Sequence, residues 1–177
     1  MRIKFLLLCC IIFFGCSKVE PRKPINLKPS STILKETIKE SIRLNKAEEN
    51  KILKLIKKDS LTEYQVSPNG FWYTYVVKKE LDTPMPKTGD EVTLEYSISD
   101  LNDSIIYSKQ DLGIKNYKVD KEDFISALQT GIKLMKKGET ITFVIPSYNA
   151  FGISGDGNKI GINQSIKSTV TLTNIKQ

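Results

Sequence analysis

The spacing of apolar residues changes character several times along the chain. Behind a basic start of Arg2 and Lys4, Phe5 to Phe14 form an unbroken apolar run that ends at Gly15-Cys16. A membrane-spanning helix needs about 20 such residues, so this run has the length of a signal-peptide core. Residues 16–30 hold Pro21, Pro24 and Pro29 and little to pack, which reads as an extended linker. From 31 to 59 the apolar residues Ile33, Leu34, Ile38, Ile42, Ile52, Leu53, Leu55 and Ile56 fall mostly at helical spacing, with Ser30, Ser31 or Thr32 as possible caps. Asn45-Lys46-Ala47 interrupts the pattern, which predicts two helices or one kinked helix.

From Tyr64 the period becomes two. Tyr64–Val66 and Phe71–Val77 flank Ser67-Pro68-Asn69-Gly70, a strong hairpin signal. Glu80–Lys87 reads as a loop, Val92–Ile98 as a cleanly alternating strand, and Ser104–Ser108 as its return after a turn. Asp120 is placed to cap a short helix with Asp123 in its first turn, presenting Phe124, Ile125 and Leu128 on one side. Strand Thr140–Ile145, a glycine-rich loop at 149–161 and strand Ser168–Asn174 follow. About six strands around one short helix predict an α+β fold, an antiparallel twisted sheet wrapped around that helix. The expected division is a signal peptide at 1–15, a linker at 16–30, a helical arm at 31–59 and a domain at 60–177 with its core at 88–177.

Charge and cysteine usage refine this picture. Net charge is +7, yet residues 17–59 carry twelve basic and six acidic side chains, while 60–177 carry thirteen basic and fourteen acidic. The basicity therefore belongs to the tether. A segment of that kind beside an export signal suits an anionic membrane surface, or is simply a solvated linker, and no nucleic-acid partner is expected. Gly15-Cys16-Ser17 resembles the cleavage box of bacterial lipoproteins, with Phe13 where leucine is more usual. That resemblance implies that Cys16 becomes the lipid-bearing first residue. Cys9 and Cys10 would leave with the signal, so no disulfide framework remains. The chain has no histidine, which closes any mechanism that needs imidazole as base, shuttle or zinc ligand.

Gly152–Lys159 is glycine-rich but lacks the Gly-Lys-Ser/Thr ending of a phosphate loop. Asp100, Asp103, Asp111 and Asp156 do not have EF-hand spacing and fit turn chemistry better. No cofactor or metal is expected.

The stretch from Tyr117 to Gly152 carries the candidate site. A helix pair, Phe124-Ile125, precedes Leu128; a Lys-Lys-Gly turn, an alternating strand and Pro146-Ser-Tyr-Asn-Ala-Phe-Gly152 follow. With Val92–Tyr96, Ile105–Ser108 and Ile160 near Asn163, this order resembles the FKBP-type peptidyl-prolyl isomerases over residues 88–177. The resemblance implies an FKBP-like fold and an apolar cup of Tyr96, Ile106, Tyr117, Phe124, Ile125, Leu128, Phe151 and Ile160 acting on prolyl bonds. Departures from the family pattern are Tyr107 in place of an aspartate, Leu128 in place of tryptophan, Phe151 without a hydroxyl, Gly161 and Ile162 in place of prolines, and Ser168 in place of an aromatic.

The whole mature chain also resembles the FKBP-like lipoproteins associated with gliding motility in Bacteroidota. The carrying features are Lys51–Asp59, the Ser-Pro-Asn-Gly-Phe-Trp-Tyr hairpin, Tyr107-Ser108, Leu134–Glu139 and Ile160–Asn163. This implies a lipid-anchored protein of the cell envelope that faces the periplasm, more in keeping with the outer than the inner membrane. Its clients would be proline-containing exported polypeptides, in support of a motility or secretion apparatus. Asp59-Ser60-Leu61 and Asp103-Ser104-Ile105 look like O-glycosylation sites of such bacteria. The alternative is a non-catalytic adaptor that keeps the cup as a peptide-binding or structural surface. The apolar stripe of residues 31–59 also suits a homodimer contact.

Overall fold

The computed structural model describes residues 30–80 and 83–177; the expected signal peptide, Cys16 and all but the last residue of the linker lie outside the described residues. The chain divides into two units, 1–37 and 38–177. In the first, the described part is the opening of helix α1 (Ser30–Lys58), where Thr37 Oγ1 donates to the Ile33 carbonyl at 2.9 Å. The second unit holds the rest of α1 and all of the sheet. Among the described residues no helix is long and apolar enough to cross a membrane.

Helix α1 runs unbroken for 29 residues, so of the two expected forms the pair of separate helices is corrected to a single helix. Asparagine, lysine and alanine are all compatible with helix. The apolar period lapses there because the inward-facing positions at 48 and 49 are glutamates, partly buried in the same face as Ile52.

Seven strands follow, one more than expected: β1 (Gln65–Ser67), β2 (Phe71–Val77), β3 (Glu91–Ser99), β4 (Ile105–Tyr107), β5 (Ile114–Lys118), β6 (Thr140–Ile145) and β7 (Ile166–Lys176). All pairings are antiparallel, in the order β1-β2-β6-β7-β3-β4, with β5 also on β3. The hairpin between β1 and β2 closes where expected, with Ser67 opposite Phe71. β7 is longer than its alternating core because it pairs along all of β3, from Glu91–Lys176 to Ser99–Lys167. A single helical turn, α2 (Lys109–Leu112), was not anticipated; Ser108 and Asp111 form a capping box around it.

Alternation divides the sheet into two faces. Phe71, Val92, Leu94, Ile98, Ile141, Phe143, Ile145, Val170 and Leu172 join one core with Leu128, Ile132 and Met135. The intervening positions Trp72 and Val144 point the other way, where Ile52 of α1 covers them. Ile56, Tyr64 and Leu101 pack on that cluster, and beside it the outer face carries the hydroxyl pairs Thr140–Thr171 and Thr142–Thr169 at 3.0 and 2.9 Å.

The short helix against the inner face, α3 (Ser126–Gly131), begins later than expected. Asp120 does not cap it. Asp120 adopts φ +56°, and its carboxylate accepts Thr88 Oγ1 at 2.5 Å and Lys133 Nζ at 2.9 Å. Ile125 holds the cap position without a side-chain cap, and its carbonyl accepts the N–H groups of Leu128 and Gln129. Phe124 and Ile125 therefore precede α3 rather than ride on it. α3 approaches β6 so closely that a Cβ on Gly131 would overlap the Phe143 ring. Gly131→Ala is expected to destabilise the fold by about 1–3 kcal/mol through overpacking, read as a lower denaturant midpoint at unchanged slope.

Candidate active site

A concavity of about 550 Å³ opens beside α3, lined by Tyr96, Ile98, Tyr107, Leu112, Asp123, Phe124, Ile125, Ala150, Phe151 and Asp156. Its size is that of a small-ligand pocket. Each wall comes from a different element. Tyr96 and Ile98 are alternate residues of β3 and share its inner face. Leu112 comes from α2, Phe124 and Ile125 from the segment before α3, and Ala150 and Phe151 from the loop after β6.

Four of the eight expected site residues line this cup together: Tyr96, Phe124, Ile125 and Phe151. The rings of Tyr96 and Phe124 meet edge to face at 5.4 Å, a favoured aromatic geometry. The other four stand elsewhere. Tyr117, 1% exposed, backs the Phe124 ring at 5.4 Å, and its hydroxyl accepts the Asp120 N–H. Leu128 is fully buried beneath, and Ile160, 3% exposed, belongs to the core. Ile106 lies outside the lining because β4 carries a bulge: Tyr107 is opposite Ile98 and Ile105 opposite Ser99, leaving Ile106 as the extra residue. Tyr107 thus reaches the cup, while Ile106 packs partly buried against the same inner core outside its lining.

Tyr107 brings an unexpected partner. Its hydroxyl donates to Asp156 at 2.5 Å, from the loop after Phe151. The other oxygen of Asp156 accepts the Asn158 and Ile160 N–H groups at 2.9 and 2.8 Å. Asp156 thus does turn chemistry as its sequence setting suggests, and also joins two walls of the cup. Gly155 is required beside it, since a Cβ there would collide with the Ile160 carbonyl. The hydrogen bond to Asp156, with burial, raises the Tyr107 pKa. Burial works against ionisation of Asp156, but the Tyr107 hydroxyl and the two N–H groups outweigh it and hold this carboxyl below its ordinary value. Lys159 Nζ lies 4.9 Å from the Tyr107 ring centroid and completes the rim. Sequence reasoning missed this pair because it depends on a bulge and a loop fold-back; the Gly-Asp-Gly triplet at 155–157 is the signal that a tight return lies there.

The cup has one unengaged hydroxyl. Tyr96 is half-buried, burial pushes its pKa up, and its hydroxyl has no hydrogen-bond partner among the described residues. Phe151 offers none. Ser168, where an aromatic was noted as absent, is fully buried and donates to the Ser97 carbonyl at 3.1 Å.

A larger cavity of about 630 Å³ lies on the other side of the sheet, among Asp59, Tyr64, Thr74, Asp103, Thr142 and Lys167. Its lining is mostly hydroxyl and charge, including the Lys167–Asp103 pair at 2.7 Å, with Leu61 and Val76 beside them. It cannot strip water from a visiting group as an apolar hollow can, so the smaller cup is the better catalytic candidate.

Comparison with known proteins agrees with this geometry. The family model for FKBP-type peptidyl-prolyl cis-trans isomerase matches residues 83–173. A protein of Neisseria meningitidis serogroup B, described as a probable FKBP-type peptidyl-prolyl cis-trans isomerase FkpA, is 32% identical over 103 residues, 57% of this chain and 37% of that protein. The chain therefore matches little more than a third of that relative's length. Two solved structures share the fold at 19% identity and a TM-score of 0.61. One is a peptidyl-prolyl cis-trans isomerase of Pseudomonas syringae pv. tomato, with 77% of this chain and 96% of that one covered. The other is FkpA of Escherichia coli, with 99% and 82% covered. With an FKBP-like sheet and helix, and a family match over half its length, the chain belongs to the FKBP-type peptidyl-prolyl cis-trans isomerase family.

Proposed function

We propose that the protein catalyses cis-trans isomerisation of prolyl bonds in exported polypeptides, with the apolar cup as its active site. The observation that carries this is the meeting of Tyr96, Phe124, Ile125 and Phe151 around one open concavity. Rotation about an X–Pro bond faces a barrier of roughly 18–20 kcal/mol because the planar amide is resonance-stabilised. That resonance separates charge between oxygen and nitrogen, and water favours the charge-separated form. The twisted amide has lost it. Moving the bond from water into an apolar cup raises the planar form relative to the twisted one, and each 1.4 kcal/mol or so gives a factor of ten. The proline ring fits the hollow between the aromatics, and the Tyr96 hydroxyl donates to the peptide carbonyl. No proton is transferred.

The adaptor reading retains one favouring observation: Phe151 has no hydroxyl, and that of Tyr107 is already committed to Asp156. A proline-limited refolding assay separates the two. Wild type is expected to accelerate the slow phase, Tyr96→Phe to lose about two- to tenfold of the rate gain, the worth of one hydrogen bond, and Phe151→Ala to lose more. Peptide binding without any acceleration supports the adaptor.

The envelope setting rests on sequence. Cys16 carries the lipid, the basic linker lies along the membrane, and the domain serves a motility or secretion apparatus from the periplasmic side. Ile38 and Ile42, 50% and 61% exposed at helical spacing, are the contact with a second copy. Wild type should take up a labelled acyl precursor and Cys16→Ala should not. The lipid-free chain should sediment as a dimer at about 50 μM, and Ile42→Lys as a monomer; a monomeric wild type removes the dimer.

Absence of acid–base chemistry sets the pH dependence. There is no histidine. Burial moves Tyr96 upward, so it stays protonated, and the lowered Asp156 carboxyl stays ionised until the pH falls through and below the ordinary aspartate range. The contribution of the Tyr107–Asp156 bond is therefore complete at neutral pH and lost only in acid. kcat/KM should vary less than about twofold between roughly pH 6 and 9. A bell-shaped profile in that window contradicts the mechanism.

A further inference from the structure

The lapse in the apolar period of α1 coincides with its most polar contact. Residues 45, 48, 49, 52, 55, 56 and 59 are the partly or wholly buried ones in this stretch, which is one helical face. Glu48 takes the place where an apolar residue would continue the face that Ile52 occupies. One oxygen of its carboxylate accepts the Ser147 N–H at 2.7 Å and the Ser165 hydroxyl at 2.9 Å. The other accepts the Ser147 hydroxyl at 2.7 Å. Ser147 is 2% exposed, so water cannot replace this acceptor readily.

Ser147 and Ser165 bracket the segment that supplies Ala150, Phe151 and Asp156 to the cup. The Ser147 carbonyl accepts the N–H groups of Ala150 and Gly152 at 2.9 and 2.8 Å, and the Gly152 carbonyl accepts that of Asn163 at 2.9 Å. Phe151 thus sits between two residues tied directly to Ser147. The adjacent Glu49 accepts the Tyr148 hydroxyl at 2.7 Å, and the Asn149 side-chain amide donates to the Asn69 carbonyl at 2.8 Å. The base of the loop is therefore held by α1 and by the β1–β2 turn together, both outside residues 83–173.

We propose that Glu48 is a positioning residue for the cup, fixing both ends of the loop that presents Phe151, so that the arm helix is part of the peptide-binding apparatus and not only a spacer. This rests on the cup being the prolyl-peptide site. The Glu48 carboxylate satisfies three donors from two distant points of the chain with one rigid group, which an apolar residue at 48 could not do. A loop freed at its base lets Phe151 leave its place in the lining it shares with Tyr96, and sub-ångström placement is what an orientation-dependent site requires.

The test uses the full chain as wild type, Glu48→Ala, Glu48→Gln and the exposed-face control Lys51→Ala, with the tetrapeptide Ala-Leu-Pro-Phe as probe. Affinity, kcat/KM and amide hydrogen exchange are read on each. Glu48→Ala is expected to weaken both affinity and kcat/KM by about fivefold or more. Exchange at Gly152 and Asn163 should accelerate about tenfold while Val170 and Leu172 in β7 keep wild-type protection. Glu48→Gln, which retains an acceptor, should recover to within about twofold, and Lys51→Ala should match wild type. Wild-type affinity and turnover in Glu48→Ala, or exchange that rises equally in β7, overturns the proposal. If Glu48→Ala does not fold, Ser165→Ala decides: about twofold weaker peptide binding supports the clamp, and no change overturns it. If wild type neither binds nor turns over the peptide, the isomerase reading falls, and exchange at Gly152 and Asn163 alone decides whether Glu48 holds the loop.

Discussion

One short helix cannot cover the inner face of this sheet. The six residues of α3 rise about 1.5 Å each and reach roughly 9 Å. The nine residues of β3 and eleven of β7, at about 3.4 Å each, extend some 30 Å or more. The apolar inner face must be finished by something other than helix. Part of it is closed by Ile132, Met135 and their neighbours. The remainder, at Tyr96 and Ile98, is roofed only at its edges by Phe124, Leu112 and Phe151, and the cup is what that partial roof leaves open. The site is therefore a direct consequence of the mismatch in length between the helix and the strands.

Support for the cup is layered in a way that explains which apolar residues line it and which do not. Tyr117 is buried against the Phe124 ring, and Leu128 is fully buried in the core against which Phe124 packs. Ile160 anchors the far end of the loop in the core while its N–H and carbonyl bracket Asp156. Outside the sheet, Ile52 against Trp72 and Val144 attaches the arm helix, and Glu48 extends that attachment to the loop itself. The cup is thus held from the core, from the loop and from the arm.

Much of this was legible in the chain. Alternation, clean in Val92–Ile98 and looser in Thr140–Ile145, marked the inner face, and Ser67–Gly70 marked the hairpin, because a two-residue period and turn chemistry are local properties. The pairing of Phe124 and Ile125 with Phe151 was implied by the resemblance of their order along the chain to the FKBP family, not by periodicity. Three features were not legible, each because it depends on distant groups. The β4 bulge exchanges Ile106 for Tyr107 in the lining, and only the register against Ile98 reveals it. Asp120 resembles a helix cap until Thr88 and Lys133 occupy its carboxylate. The lapse at 45–47 resembles a helix break until Ser147 and Ser165 give the adjoining Glu48 its reason for being there.

The central claim is that the hollow between Tyr96 and Phe151 receives a prolyl peptide and twists its amide without proton transfer. Two-dimensional exchange spectroscopy on a proline peptide with substoichiometric protein measures this directly. The account predicts cis–trans exchange cross-peaks that are absent without protein, with shift changes concentrated at Tyr96, Phe124, Ile125 and Phe151. An unchanged exchange rate, with shifts at Tyr64, Thr142 and Lys167 instead, would contradict it.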